Sequence, residues 1–133
     1  ARRRPELFVE FVDGIHEIKF DLWQYFRKQK EKQKKIVGFG AAAKGTVLLN
    51  YCNLDTSVID YVVDGTPYKQ GKFIPGVNIP IYPEEHLLED PPDTVLILAW
   101  NFKEEIMEKL KGRGYSFVVP IPRVQIYENS YSR

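Results

Sequence analysis

The sequence predicts an α/β fold: a parallel sheet flanked by helices, with one long helix in front of it. Three observations carry this. From Lys35 onward, short β-branched runs alternate with helical periods, and such alternation implies βαβ crossovers with helices on both faces of a parallel sheet. A glycine-rich turn, Gly38-Phe-Gly-Ala-Ala-Ala-Lys-Gly45, separates the first run from the helix after it. Residues 5–34 carry a single apolar stripe at three- and four-residue steps, the mark of an amphipathic helix. The expected organisation is an N-terminal helix over 1–34 and a Rossmann-like domain over 35–133.

The stripe of the first helix comprises Leu7, Phe8, Phe11, Val12, Ile15, Ile18, Leu22, Trp23 and Phe26. Pro5 suits a first helical turn, and Gly14 is an interior weak point that costs up to about 1 kcal/mol relative to alanine. Residues 27–35 are mostly basic. They read as the exposed end of a helix, where cations complement the helix dipole; an anionic partner is the other reading. Residues 35–39 form the first strand and 46–52 the helix after it. Residues 58–63, rich in β-branched side chains, form a second strand that ends at Asp64. A loop rich in Gly, Lys and Pro covers 65–75 and leads to Ile79-Pro80-Ile81. Residues 83–88 read as a short helix, and 94–98 as the most apolar strand, hence the central one. An amphipathic helix over 102–110 is closed by Gly112 and Gly114, before a last strand over 117–120.

Composition narrows the function classes. The 133 residues carry 19 Lys+Arg against 18 Asp+Glu, and this balance removes the main electrostatic argument for a nucleic-acid partner. With 44% hydrophobic and 28% charged residues, the chain reads as a folded domain rather than a disordered segment. No apolar run approaches the roughly 20 residues that span a bilayer. Cys52 is the single cysteine and has no internal disulfide partner; His16, His86 and Cys52 show no zinc spacing. The expectation is a cytoplasmic protein without membrane or metal. Ala1 precedes Arg2, Arg3 and Arg4, and Glu6, Glu10 and Asp13 interrupt what would be a signal-peptide core. A piece of a longer polypeptide, or removal of an initiator methionine, both account for this start.

The candidate binding residues cluster around the glycine turn. Gly38, Gly40 and Gly45 permit a tight turn, Ala43 stands where a dinucleotide fingerprint takes Gly or Ala, and Lys44 offers a cation to a pyrophosphate at a helix N-terminus. The alternative is that a tight βα turn uses these glycines for its geometry alone. Asp64, at the end of the second strand, stands where an acid commonly accepts ribose hydroxyls, or simply starts a turn with Gly65. Lys69 and Lys72 place two more cations in the following loop, which is otherwise a solvated segment. Trp100 and Asn101 follow the central strand, where they either stack on and hydrogen-bond a base or sugar, or cap the next helix. The turn is a poor methyl-donor site, because Ile36 holds the usual acidic position and Ala42 that of the third glycine. Glu84, Glu85 and His86 read as first-turn capping chemistry, His16 as structural, and Cys52 as a buried small hydrophobe.

Several ordered segments resemble one family: 37–45, 48–51, Val62-Val-Asp64, Pro67-Tyr-Lys-Gln-Gly71, Pro75-Gly76, Ile79-Pro80 and 96–101 ending in Trp-Asn. Together they resemble the C-terminal domain of S-adenosylmethionine-dependent sugar C-methyltransferases, which act on nucleotide-linked keto-deoxysugars. The resemblance implies that residues 1–34 are a linker helix. It also implies that a zinc-binding module and a methyl-donor domain precede this one in the full-length enzyme, with S-adenosylmethionine bound there. The turn, Asp64, the 69–76 loop and Trp100-Asn101 would then face a nucleotide-sugar, with catalytic residues lying largely elsewhere. Two rival functions stay open: a stand-alone nucleotide- or dinucleotide-binding module, and an interaction domain that docks through its N-terminal helix. A homodimer is a further expectation, because the long apolar stripe needs a surface.

Overall fold

The computed structural model describes the backbone of residues 4–128 and the side chains of residues 14–128. Helix α1 spans Arg4–Glu31. The side chains of Leu7, Phe8, Phe11 and Val12 lie outside the described residues. Further along the same stripe, Ile18, Leu22 and Phe26 are buried in one cluster with Ile36, Leu48, Leu49 and Leu96. Trp23 on the flank donates its indole N–H to the Cys52 carbonyl at 2.6 Å. The described part of the helix from Ile18 to Phe26 therefore belongs to the domain's own packing. The basic stretch at its end is partly paired: Lys30 lies 3.8 Å from Asp60, and Lys35 lies 2.5 Å from Asp90 and 3.7 Å from Asp60.

The remaining elements are β1 (Ile36–Phe39), α2 (Ala43–Cys52), β2 (Val62–Val63), β3 (Ile81–Tyr82), α3 (His86–Glu89), β4 (Thr94–Ile97), α4 (Lys103–Lys109), β5 (Ser116–Val119) and β6 (Gln125–Tyr127). Helix α2 starts three residues earlier than the sequence suggests. It ends at Asn53, whose left-handed backbone (φ 58°) returns its N–H to the Asn50 and Leu49 carbonyls. The run 58–63 is not one strand. The N–H groups of Val58 and Ile59 return to the Asp55 carbonyl in a turn, and only Val62–Val63 pair on both sides. Helix α3 begins at His86 without a side-chain cap, and Glu84 accepts from Lys109 at 3.0 Å instead of capping.

The six strands form one sheet in the order β3-β2-β1-β4-β5-β6. The first five are parallel. The expected parallel sheet with flanking helices is present, and its far edge adds one strand: β6 runs antiparallel to β5, pairing Phe117 with Tyr127 and Val119 with Gln125. Alternating side chains divide the core between the two faces. Ile36, Leu96 and Val118 pack with α1 and α2, whereas Val37, Phe39, Val95 and Ile97 pack with Ile106 and Leu110 of α4 and its flank. The two most central strands, β1 and β4, are neighbours, and the strand order reverses between them. Crevices at the carboxyl ends of such a pair are where open α/β sheets receive ligands.

Candidate functional site

The β1–α2 turn is locked from below by β4. A Cβ on Gly38 would lie 2.9 Å from Leu98 Cδ1, one on Gly40 2.8 Å from Ala99 Cβ, and one on Gly45 2.8 Å from Leu98 Cβ. Gly40 also has φ +97°, a conformation that side chains rarely adopt. Gly40 and Gly45 are thus required by the close approach of residues 98–99, just after β4, whereas at Gly38, inside β1, the contact is with the yielding end of the Leu98 side chain.

Asp64 locks the turn from the side. Its Oδ2 accepts the Ala41 N–H at 2.6 Å and its Oδ1 accepts the Thr66 N–H at 2.8 Å. Lys69 donates to the Ala41 carbonyl at 3.0 Å and stands 4.0 Å from Asp64 Oδ2, so both faces of Ala41 are gripped by the segment after β2. Gln70 donates to the Asp64 carbonyl at 2.8 Å. Burial raises the Asp64 pKa, but the two backbone donors, the Thr66 side chain and the Lys69 charge outweigh it. The carboxyl is held below its ordinary value.

The structure brings most of the sequence candidates to this carboxyl edge of the sheet. Ala43 and Lys44 form the exposed first turn of α2, which has no side-chain N-cap. Among the described residues, no carboxylate lies within ion-pair reach of Lys44. Trp100 is half-buried beside it, and both line an apolar groove of about 500 Å³. Asn101 is exposed on the short 3-10 turn after β4. A second opening of about 320 Å³ lies between Gly40, Asp64, Ala99 and Phe102 at the β1/β4 crevice. Lys72 is set apart, exposed and 5.8 Å from the Tyr68 ring; with Lys69 it borders a smaller cleft of about 200 Å³ beside Ala41.

The profile of the C-methyltransferase C-terminal domain family matches residues 2–122. The chain belongs to this family. It is 36% identical over 122 residues to the C-methyltransferase NovU of Streptomyces niveus, a match that covers 90% of this chain and 29% of that protein. This C-methyltransferase C-terminal domain thus spans less than a third of its curated relative. Among its described residues no helix is long and apolar enough to cross a membrane.

Sequence reasoning reached Lys44 and Trp100 but missed the other walls of the groove. Val47 and Tyr51 on α2 are exposed large side chains, and Ile15 and Ile121 reach the same space from α1 and from the segment between β5 and β6. A signal was available. The i, i+4 pair Val47 and Tyr51 makes α2 apolar outside the face that Leu48, Leu49 and Cys52 bury. His16, read as structural, accepts or donates a 3.0 Å hydrogen bond with the Tyr51 hydroxyl at the groove's far end.

Proposed function

We infer that this chain is the substrate-side domain of a sugar C-methyltransferase and that it positions a nucleotide-linked deoxysugar. The observation that carries the reading is the first turn of α2. There, uncapped N–H groups and the unpaired Lys44 stand at the carboxyl edge of the sheet, beside Trp100, in a family named for C-methyl transfer. The pyrophosphate would lie on this turn, and Trp100 and Asn101 would meet the base or the sugar. Asp64, Lys69 and the glycines would hold the turn in shape. Lys72 borders the route past Ala41.

S-adenosylmethionine, bound elsewhere in the full-length enzyme, would supply the methyl group. This domain does not fit that role, because Ile36, at the position of the usual acid, is buried, and both Asp64 oxygens already accept backbone N–H groups. The parent reaction would remove a proton from the carbon beside a ketone to a base, and the enolate carbon would form a bond to the methyl as its bond to sulfur breaks. This chain's contribution is orientation of the sugar relative to that methyl. The rival dinucleotide module is less well supported, since its ribose acid would be the already engaged Asp64.

The test is thermal. A nucleotide-sugar at 100 times its dissociation constant should stabilise the folded chain by about 2.7 kcal/mol. Lys44→Ala, at an exposed position, should weaken binding by about 1.5–3 kcal/mol without unfolding the protein. No shift across a panel of nucleotide-sugars on folded protein would refute the reading.

A further inference from the structure

The groove beside the turn is apolar along its walls and polar at both ends. Its walls are apolar: Ile15, Val47, Trp100 and Ile121, with buried Leu48 at its side. Its two ends are not. At one end stands Lys44, in the first turn of α2. At the other, seven residues and about 10 Å along the helix, the Tyr51 hydroxyl is hydrogen-bonded to His16 and the Lys19 ammonium lies 5.6 Å from the Tyr51 ring. The volume of about 500 Å³ falls within the range of small-molecule sites, roughly 300–1,000 Å³.

We propose that this groove is the nucleobase subsite of the domain. The base lies against Trp100 and between Val47 and Ile121, with its polar edge toward the Tyr51–His16 pair, while the 5′-phosphates return to Lys44. This rests on the reading of the β1–α2 turn as a phosphate site and adds to it the part of the substrate that is recognised. Every base has an aromatic face, so stacking supplies affinity. Discrimination among bases comes from the hydroxyl and imidazole at the far end and is modest, because that end is exposed and water can replace a missing partner. The order of the subsites also follows. The base points along α2 toward α1, and the sugar attached to the second phosphate points away from α1, toward the β1/β4 crevice beyond Gly40 and Ala99.

Calorimetry on this chain with inorganic pyrophosphate and with the uridine, thymidine, adenosine and guanosine diphosphates separates the two claims. At least one nucleoside diphosphate should bind about tenfold or more tightly than pyrophosphate and quench the tryptophan emission, whereas pyrophosphate should leave the emission unchanged. Trp100→Leu should remove most of that preference and leave pyrophosphate affinity within about twofold. Val47→Tyr, a substitution at a surface position that narrows the groove, should lower diphosphate affinity in the same selective way and serves where Trp100→Leu does not fold. Equal affinity for pyrophosphate and every diphosphate, with no quenching, would overturn the base subsite while leaving the phosphate turn standing. Binding of neither class would overturn both.

Discussion

Phe26 offers the sharpest test of how far α1 belongs to the domain. Its ring is fully buried, in one cluster with Leu22, Ile36, Leu49 and Leu96, so Phe26→Ala removes a complete aromatic side chain from a site closed on every side. Such truncations cost about 3–5 kcal/mol, the transfer free energy of the ring plus the cavity left behind. Against a total stability of about 5–15 kcal/mol, this is a large fraction. At roughly 3–4 °C per kcal/mol for a domain of this size, the midpoint should fall by about 10–20 °C. Phe20, six residues earlier on the same helix, is 62% exposed, and Phe20→Ala should change stability by no more than about 0.5 kcal/mol. Urea denaturation followed by circular dichroism gives both values under the same conditions. A Phe26→Ala cost below about 1 kcal/mol, or equal costs for the two variants, would show that α1 docks too loosely to share the core and would refute the assignment.

Asp64 and Cys52 each give a further test. The folded-state pKa of Asp64 is depressed, so its stabilising contribution is complete above the ordinary carboxylate value near 3.9 and is lost as pH falls through the lower folded value. Asp64→Asn should therefore lower stability at pH 7 and flatten the decline of stability below about pH 4, as read from thermal melts across pH; an unchanged acid limb would show that the Ala41 and Thr66 bonds do not stabilise the charged form. Burial pushes the Cys52 thiol up to about 11, so it should resist alkylation at pH 8 in native protein and react fully in denaturant, by mass spectrometry; rapid native labelling would contradict its burial.

The sequence made the centre of the sheet legible and its margins much less so. β1 and β4 are short apolar runs bounded by breaks, and both faces of each are buried, which is what such runs signify. The 58–63 segment shows the limit of that logic. Val58 and Ile59 are as buried as strand residues, but they sit in a turn, and composition reports burial rather than pairing. β6 was invisible because Gln125, Ile126 and Tyr127 are all exposed; its ladder exists only through contact with β5. At the site, the position of Asp64 was readable but its partner was not, because Ala41 is 23 residues away and is joined by a backbone N–H that carries no side-chain signature. The groove was missed for a similar reason: its walls come from α1, α2 and two segments that follow β4 and β5.

The contact of Gly40 and Gly45 with Ala99 and Leu98 leaves no slack for a methyl group. It follows that the start of α2 and the segment just after β4 move as one piece, which ties the backbone at Lys44 to the backbone at Trp100. If the proposed substrate binds there, a backbone assembled in advance would lose little conformational freedom on binding. The same rigidity directs attempts to retune the domain. The inner side of the turn tolerates no added volume, so under the proposed reading any change of ligand preference would be sought on its solvent side, at Val47 and Tyr51, where side-chain size can change without disturbing the joint.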